Sequence, residues 1–177
     1  SRTQLIRVPP LESGFVRTGL LEQGFTDENI IRDAVKKGNG NFSLALAVAE
    51  NDEQEHSNFE FFASLMRLAY QRKMAQISEW VDTLTGLGRE RIKQFLTFGM
   101  RMVRENFMLN IKKDEITFMS GEEETFSRKF SPFINSKNVV EIAEAFNDAA
   151  NHIEVNAYPR IVLMDMAINI IMQLRKN

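Results

Sequence analysis

The chain has 177 residues, of which 44% are hydrophobic and 26% charged, with a formal net charge of −2. That balance excludes a disordered chain, and near-neutrality argues against a protein whose main work is gripping nucleic acid, although it leaves room for a small basic patch. The absence of cysteine excludes a disulfide framework and a thiolate metal site, and with no signal-peptide pattern and no apolar run of membrane-span length the expected location is cytoplasmic.

In chain order, Leu5, Ile6 and Val8 read as a short strand that Pro9 and Pro10 stop at once. A lone strand cannot satisfy its own backbone groups, so residues 1–10 are expected to be the remnant of a sheet lying outside this sequence. After Pro10 the apolar period changes to about 3.6 residues. A short helix is expected over 12–22, with Phe15, Leu20 and Leu21 inward and Gly24 as its stop. Thr26 or Asp27 caps a second, whose stripe is Ile30, Ile31, Ala34 and Val35 and whose last turn carries Lys36 and Lys37 before Gly38. A third follows "GNGN" through Phe42, Leu44, Ala45, Leu46, Ala47 and Val48. Residues 11–52 thus form a small three-helix unit.

The polar stretch Glu50–His56 reads as a linker or an exposed helix entry, and marks the boundary to a second helical unit over 53–177. Ser57 or Asn58 caps a long helix carrying Phe59, Phe62, Leu65, Met66, Ala69 and Tyr70, continuing to Leu84 and broken by Gly86-Leu87-Gly88. From Arg89 to about Lys113 apolar residues occupy nearly every side, which predicts a centrally buried helix. Ser120 with Glu123 fits a capping box for a helix ending near Phe130, ahead of Ser131-Pro132. Asn135 or Ser136 starts another, with Val139, Ile142, Ala143, Phe146, Ala149, Ala150 and Ile153 at helical spacing. The last helix has Asn156 near its cap, Pro159 in its first turn, and a stripe of Ile161, Val162, Met164, Ala167, Ile168 and Ile171. The fold class is therefore all-α, with about five helices in the second unit. The 14 Phe and 9 Met are material for helix packing or for subunit interfaces.

Catalytic machinery does not emerge. No phosphate-cradling Gly-x-x-x-x-Gly-Lys-Ser/Thr is present, and Gly38 and Gly40 are explained by a helix stop and a turn. His56 and His152 lack partners at ligand spacing, so no metal and no cofactor are expected. Glu122, Glu123 and Glu124 suit the positive end of a helix dipole rather than acid/base work. Lys112-Lys113 and the run Arg89, Arg91, Lys93 are candidate phosphate contacts, diluted by Asp114, Glu115 and Glu90 into solvated helix faces.

The order of the short motifs is informative. Ser1-Arg2 ahead of an apolar strand, Pro9-Pro10-Leu11, and then Gly40-Asn41-Phe42-Ser43-Leu44-Ala45-Leu46 resemble the clamp-loader branch of the AAA+ family. There a Ser-Arg-Cys motif closes the nucleotide-binding domain and its arginine reaches the neighbouring subunit's ATP. A helical lid follows, ending in a pattern like Gly-x-x-Arg-x-Ala-Leu, whose arginine touches the subunit's own nucleotide. The resemblance implies that Arg2 is a trans-acting arginine finger, and Ser43 stands where the lid arginine would be. Thr3 replaces the usual cysteine. A fixed guanidinium stabilises charge on transferring phosphoryl oxygens, and in trans it needs no local pocket.

Keeping the finger while lacking the lid arginine is similar to the delta-prime subunits of bacterial DNA polymerase III, whose third domain is a helical collar that packs into a ring. "FSRKFSPFINSKNVVEI" (126–142) resembles divergent collars of that kind, and "HIEVNAYPRIVLMDMAINIIMQL" (152–174) resembles a collar's last helix behind an Asn-Ala-x-Pro turn. The resemblance implies residues 11–52 as lid and 53–177 as oligomerisation collar. It further implies gamma/tau and delta-like subunits as partners, with the sliding clamp and primer-template DNA met only through the whole complex. The chain itself would not be an enzyme, and the longer protein would belong to the polymerase III holoenzyme without turning over ATP. Two alternatives stand beside this: a helical ligand-responsive DNA-binding regulator, whose reading helix should be basic, and an ATP-hydrolysing gamma-type subunit, against which Ser43 argues.

Overall fold

A computed structural model describes residues 10–111 and 121–175. Over these residues the chain is all-helical and contains no strand. The expected strand over 1–10, like Ser120 of the capping box and Lys112-Lys113, falls on residues outside that description apart from Pro10. Two compact units are present, Ser1–Ser57 and Asn58–Asn177.

The first unit comprises α1 (Ser13–Glu22), α2 (Glu28–Gly38) and the first half of α3 (Phe42–Gln71). Its core is Val16, Leu20, Phe25, Ile31, Ala34, Ala45 and Ala49. In α1 it is Val16 and Leu20 that turn inward, whereas Phe15 and Leu21 are 68% and 45% exposed, contrary to expectation. Residues four apart share a helix face, and Phe15 and Leu21 each lie about 100° round from that pair. Gly24, at φ +98°, ends the helix, and the Phe25 N–H donates back to the Leu20 carbonyl at 3.2 Å. Asp27 caps α2, accepting from the N–H groups of Asn29 and Ile30 at 2.7 and 3.3 Å.

The stretch Glu50–His56 is neither a linker nor a helix entry but the middle of α3. No glycine or proline occurs between Gly40 and Gly86, so nothing local stops the helix, and Asp52 lies 3.6 Å from Lys37 of α2. The stop comes instead at Arg72, a non-glycine residue at φ +56°, where the Lys73 N–H donates to the Leu68 carbonyl at 3.1 Å. The long helix expected from Ser57 to Leu84 is therefore two. α4 (Met74–Gly86) folds back, and the Trp80 indole N–H donates to the Phe61 carbonyl at 3.1 Å.

The rest of the second unit is α5 (Arg89–Ile111), α6 (Gly121–Phe130), a 3₁₀ turn (Ser131–Phe133), α7 (Val139–Glu154) and α8 (Pro159–Gln173). With the second half of α3 it holds, among the described residues, six helices rather than about five. α5 touches α4, α6, α7 and the 3₁₀ turn, the central place its apolar wrapping predicts. Phe62, Phe95 and Phe146 are fully buried side by side, the Phe146 ring 6.3 and 6.1 Å from Phe62 and Phe95 between centroids, with burial contributing about 2–3 kcal/mol each. Gly99 of α5 makes room for Phe146, because a Cβ there would lie 2.2 Å from the ring.

Polar groups finish the packing. Buried Asn138 donates to the Phe133 and Gln173 carbonyls at 2.9 and 3.3 Å and accepts from the Asn135 N–H at 2.9 Å, tying the turn before α7 to the end of α8. Glu123, nearly fully buried, accepts from Arg101 Nη2 at 2.7 Å. Asn156, at φ +63°, terminates α7 rather than capping α8, and Tyr158 holds the cap position.

Candidate functional site

Of the residues singled out for nucleotide chemistry, Arg2 lies outside the described residues. Ser43 is exposed in the first turn of α3, two residues after Asn41, whose side chain accepts from the Leu44 N–H at 3.2 Å. A serine hydroxyl there has neither the reach nor the charge of an arginine. The glycines around it serve the turn. Asn39 and Gly40 have φ +44° and +81°, the Gly40 carbonyl accepts from the Leu11 N–H at 2.9 Å, and a Cβ at Gly38 would strike Ala45 at 2.6 Å. A stop, a reversal and a close helix contact account for the motif without an anion.

The charged runs are dispersed by packing. Arg89 is committed to the carboxyl end of α7, donating to the carbonyls of Ile153, Asn156 and Ala157 at 3.0, 3.4 and 3.1 Å. Arg91 donates to Gln94, and Lys93 pairs with Glu90 at 2.9 Å. The three glutamates part company too: Glu123 turns inward to Arg101, and Glu124 pairs with Arg128. His56 and His152 sit on different helices, and no group of three potential metal ligands occurs among the described residues. No helix there is long and apolar enough to cross a membrane.

The feature that stands out is α8. Its inner side, with Val162, Leu163, Met166, Ala167 and Ile170, enters the core, as apolar residues on a surface helix should. Its outer side is apolar as well. Ile161, Ile168 and Met172 are 68%, 38% and 55% exposed, and their spacing of seven and four places them on one face. Asp165 interrupts that face, accepting from Asn169 at 3.3 Å. Val155 and Tyr158, ahead of the helix, are exposed as well. Arg160 anchors α8 to α4, donating to Asp82 at 2.7 Å and to Ser78 at 3.0 Å, and Asp82 pushes its guanidinium pKa further up.

Of the apolar residues read along this helix, Val162 and Ala167 enter the core while Ile161 and Ile168 face water. α8 has more apolar side chains than one face can bury, and that excess was the signal in the sequence. Arg89 carried no comparable signal, because its partners are backbone carbonyls more than sixty residues away, and neither did the contact of Asn138 with the distant Gln173 carbonyl.

No family model, curated protein or solved structure matches the chain. Geometry and motif order carry the functional reading.

Proposed function

We propose that this chain is the lid and collar of a clamp-loader subunit of the delta-prime kind. It acts as a non-catalytic module that joins gamma/tau and delta-like neighbours in a five-membered ring placing the sliding clamp on primed DNA. One observation carries the assembly role: the outward apolar face of α8, with Ile161, Ile168 and Met172 exposed on a helix that already buries its other side. Large apolar side chains grouped on the exposed face of a helix mark a surface for a partner to cover. Support for the kind of assembly comes from the order of Arg2, the Pro-Pro-Leu stretch and the Gly40–Leu46 pattern, with Ser43 where an ATP-sensing arginine would stand.

The alternative of a DNA-reading helix finds no such support. The segment from Asn41 to Glu50 carries no Lys or Arg, whereas a major-groove reading helix should be basic. Mixing the chain with gamma/tau and delta collar domains at micromolar concentration tests the proposal. Co-elution on size exclusion is expected, and separate elution of all three would refute the assembly role.

A further inference from the structure

Beside the second half of α3 lies an open cavity of about 620 Å³ that the assembly role does not use. Two helix stripes line it: Phe59, Met66 and Tyr70 on α3, and Phe126 and Phe130 on α6, with Phe133 of the 3₁₀ turn at one end. The two helices run side by side in the same direction, since Phe59 meets Phe126 at 5.7 Å and Tyr70 meets Phe133 at 4.9 Å between centroids. From Phe59 to Gln71 the groove extends about 18 Å along α3.

Its charge is uneven. Arg67 lies over the Phe126 ring at 5.8 Å, Arg175 lies over Tyr70 at 5.9 Å, and Lys129 also lines the groove. None of these three cations forms an ion pair among the described residues. Among those residues Glu122 is the one carboxylate lining the groove, and it sits at the Phe59 end. Aromatic walls supply area for apolar side chains, while unpaired cations select against basic partners and favour acidic ones.

We propose that this groove binds an amphipathic, acidic helix from a partner protein. Its apolar side chains at helical spacing enter between the rings, its acidic side faces Arg67 and Lys129, and its carboxyl-terminal end lies at the Tyr70 end beside Arg175. There the negative pole of the incoming helix dipole also meets positive charge. The inference is independent of the clamp-loader reading, because it rests on residues that the α8 face does not include.

Fluorescence anisotropy with the whole chain tests it, using three labelled peptides of about fourteen residues, or four helical turns. One is an amphipathic Leu/Glu helix, the second its Leu/Lys counterpart, and the third a scrambled Leu/Glu sequence. Only the first should bind at micromolar concentration. Reversing both rim charges in Arg67→Glu/Lys129→Glu should weaken it about tenfold or more, since each exposed charge pair contributes up to about 1 kcal/mol and reversal replaces attraction by repulsion. Thr125→Tyr, at an exposed position lining the groove, should abolish binding with the thermal melt unchanged. Equal binding of the Leu/Lys peptide, indifference to the charge reversal, or no binding at all would each overturn the proposal. So would binding that appears only after residues 112–120 are replaced by a Gly-Ser linker, which would mean that the chain fills the groove itself.

Discussion

Gly99→Ala is a substitution for which helix propensity and packing give opposite signs. In an open helix the change gains about 1 kcal/mol. Here the new methyl would lie 2.2 Å from Phe146 Cε1 and 2.7 Å from Cδ1, far inside van der Waals contact. The ring cannot retreat, because Phe146 is fully buried with Phe95 and Phe62 at 6.1 and 6.3 Å between centroids. Overpacking of this kind costs about 1–3 kcal/mol, and the severity of the overlap puts it at the upper end. The net expectation is destabilisation of about 1–2 kcal/mol. Phe146→Leu alone should cost about 1–2 kcal/mol through the cavity it leaves. In the double variant the methyl occupies part of that space, so the loss should fall short of the sum by about 1 kcal/mol or more. Trp80 reports the transition: it is the sole tryptophan, 6% exposed, 5.4 Å from the Phe95 ring. Urea unfolding followed by its fluorescence gives all four stabilities. A Gly99→Ala chain at least as stable as its parent, or strict additivity in the double variant, would refute the packing argument.

Three further outcomes follow from other features. Arg72→Gly should leave stability unchanged or raise it by up to about 1 kcal/mol in urea titrations, because glycine relieves the left-handed backbone at φ +56°; a clear loss would mean that the Arg72 side chain matters there. Asn138→Ala strips partners from two carbonyls and one N–H in a buried place and should cost about 2–3 kcal/mol, with a change below 0.5 kcal/mol counting against the network. Arg89→Ala should cost about 1–2 kcal/mol, and Arg89→Lys should recover less than half, since an ammonium cannot span carbonyls that the guanidinium fork reaches together. Full recovery by lysine would reduce Arg89 to a dipole charge.

Helix type and number were largely legible because period and caps are local properties. Asp27, Gly24, Gly38 and Pro159 mark ends that a reader of residues can see. The failures have a common cause. The break at Arg72 uses a residue with no intrinsic preference for the left-handed region, and it is enforced by the fold-back that brings Trp80 onto Phe61. The polarity of Glu50–His56 suggested a linker, yet polarity does not end a helix that lacks glycine and proline. Phe15 and Leu21 read as inward because hydrophobicity alone cannot say which of two adjacent faces meets the core. That same ambiguity concealed the α8 face, visible only once Val162, Leu163 and Met166 are seen to fill the inner side. The aromatic groove depends on two segments about sixty residues apart in the chain, so no local pattern announces it.

The central claim is that this chain joins a ring through the exposed side of α8. Sedimentation velocity on equimolar mixtures with gamma/tau and delta collar domains tests it most directly, comparing the parent chain with Ile161→Glu/Ile168→Glu. Both positions face solvent, so the variant should keep the parent's Trp80 fluorescence and thermal melt. The account predicts a heavier complex for the parent and separate boundaries for the variant. A parent that sediments alone, or a folded variant that assembles as well as the parent, would contradict it.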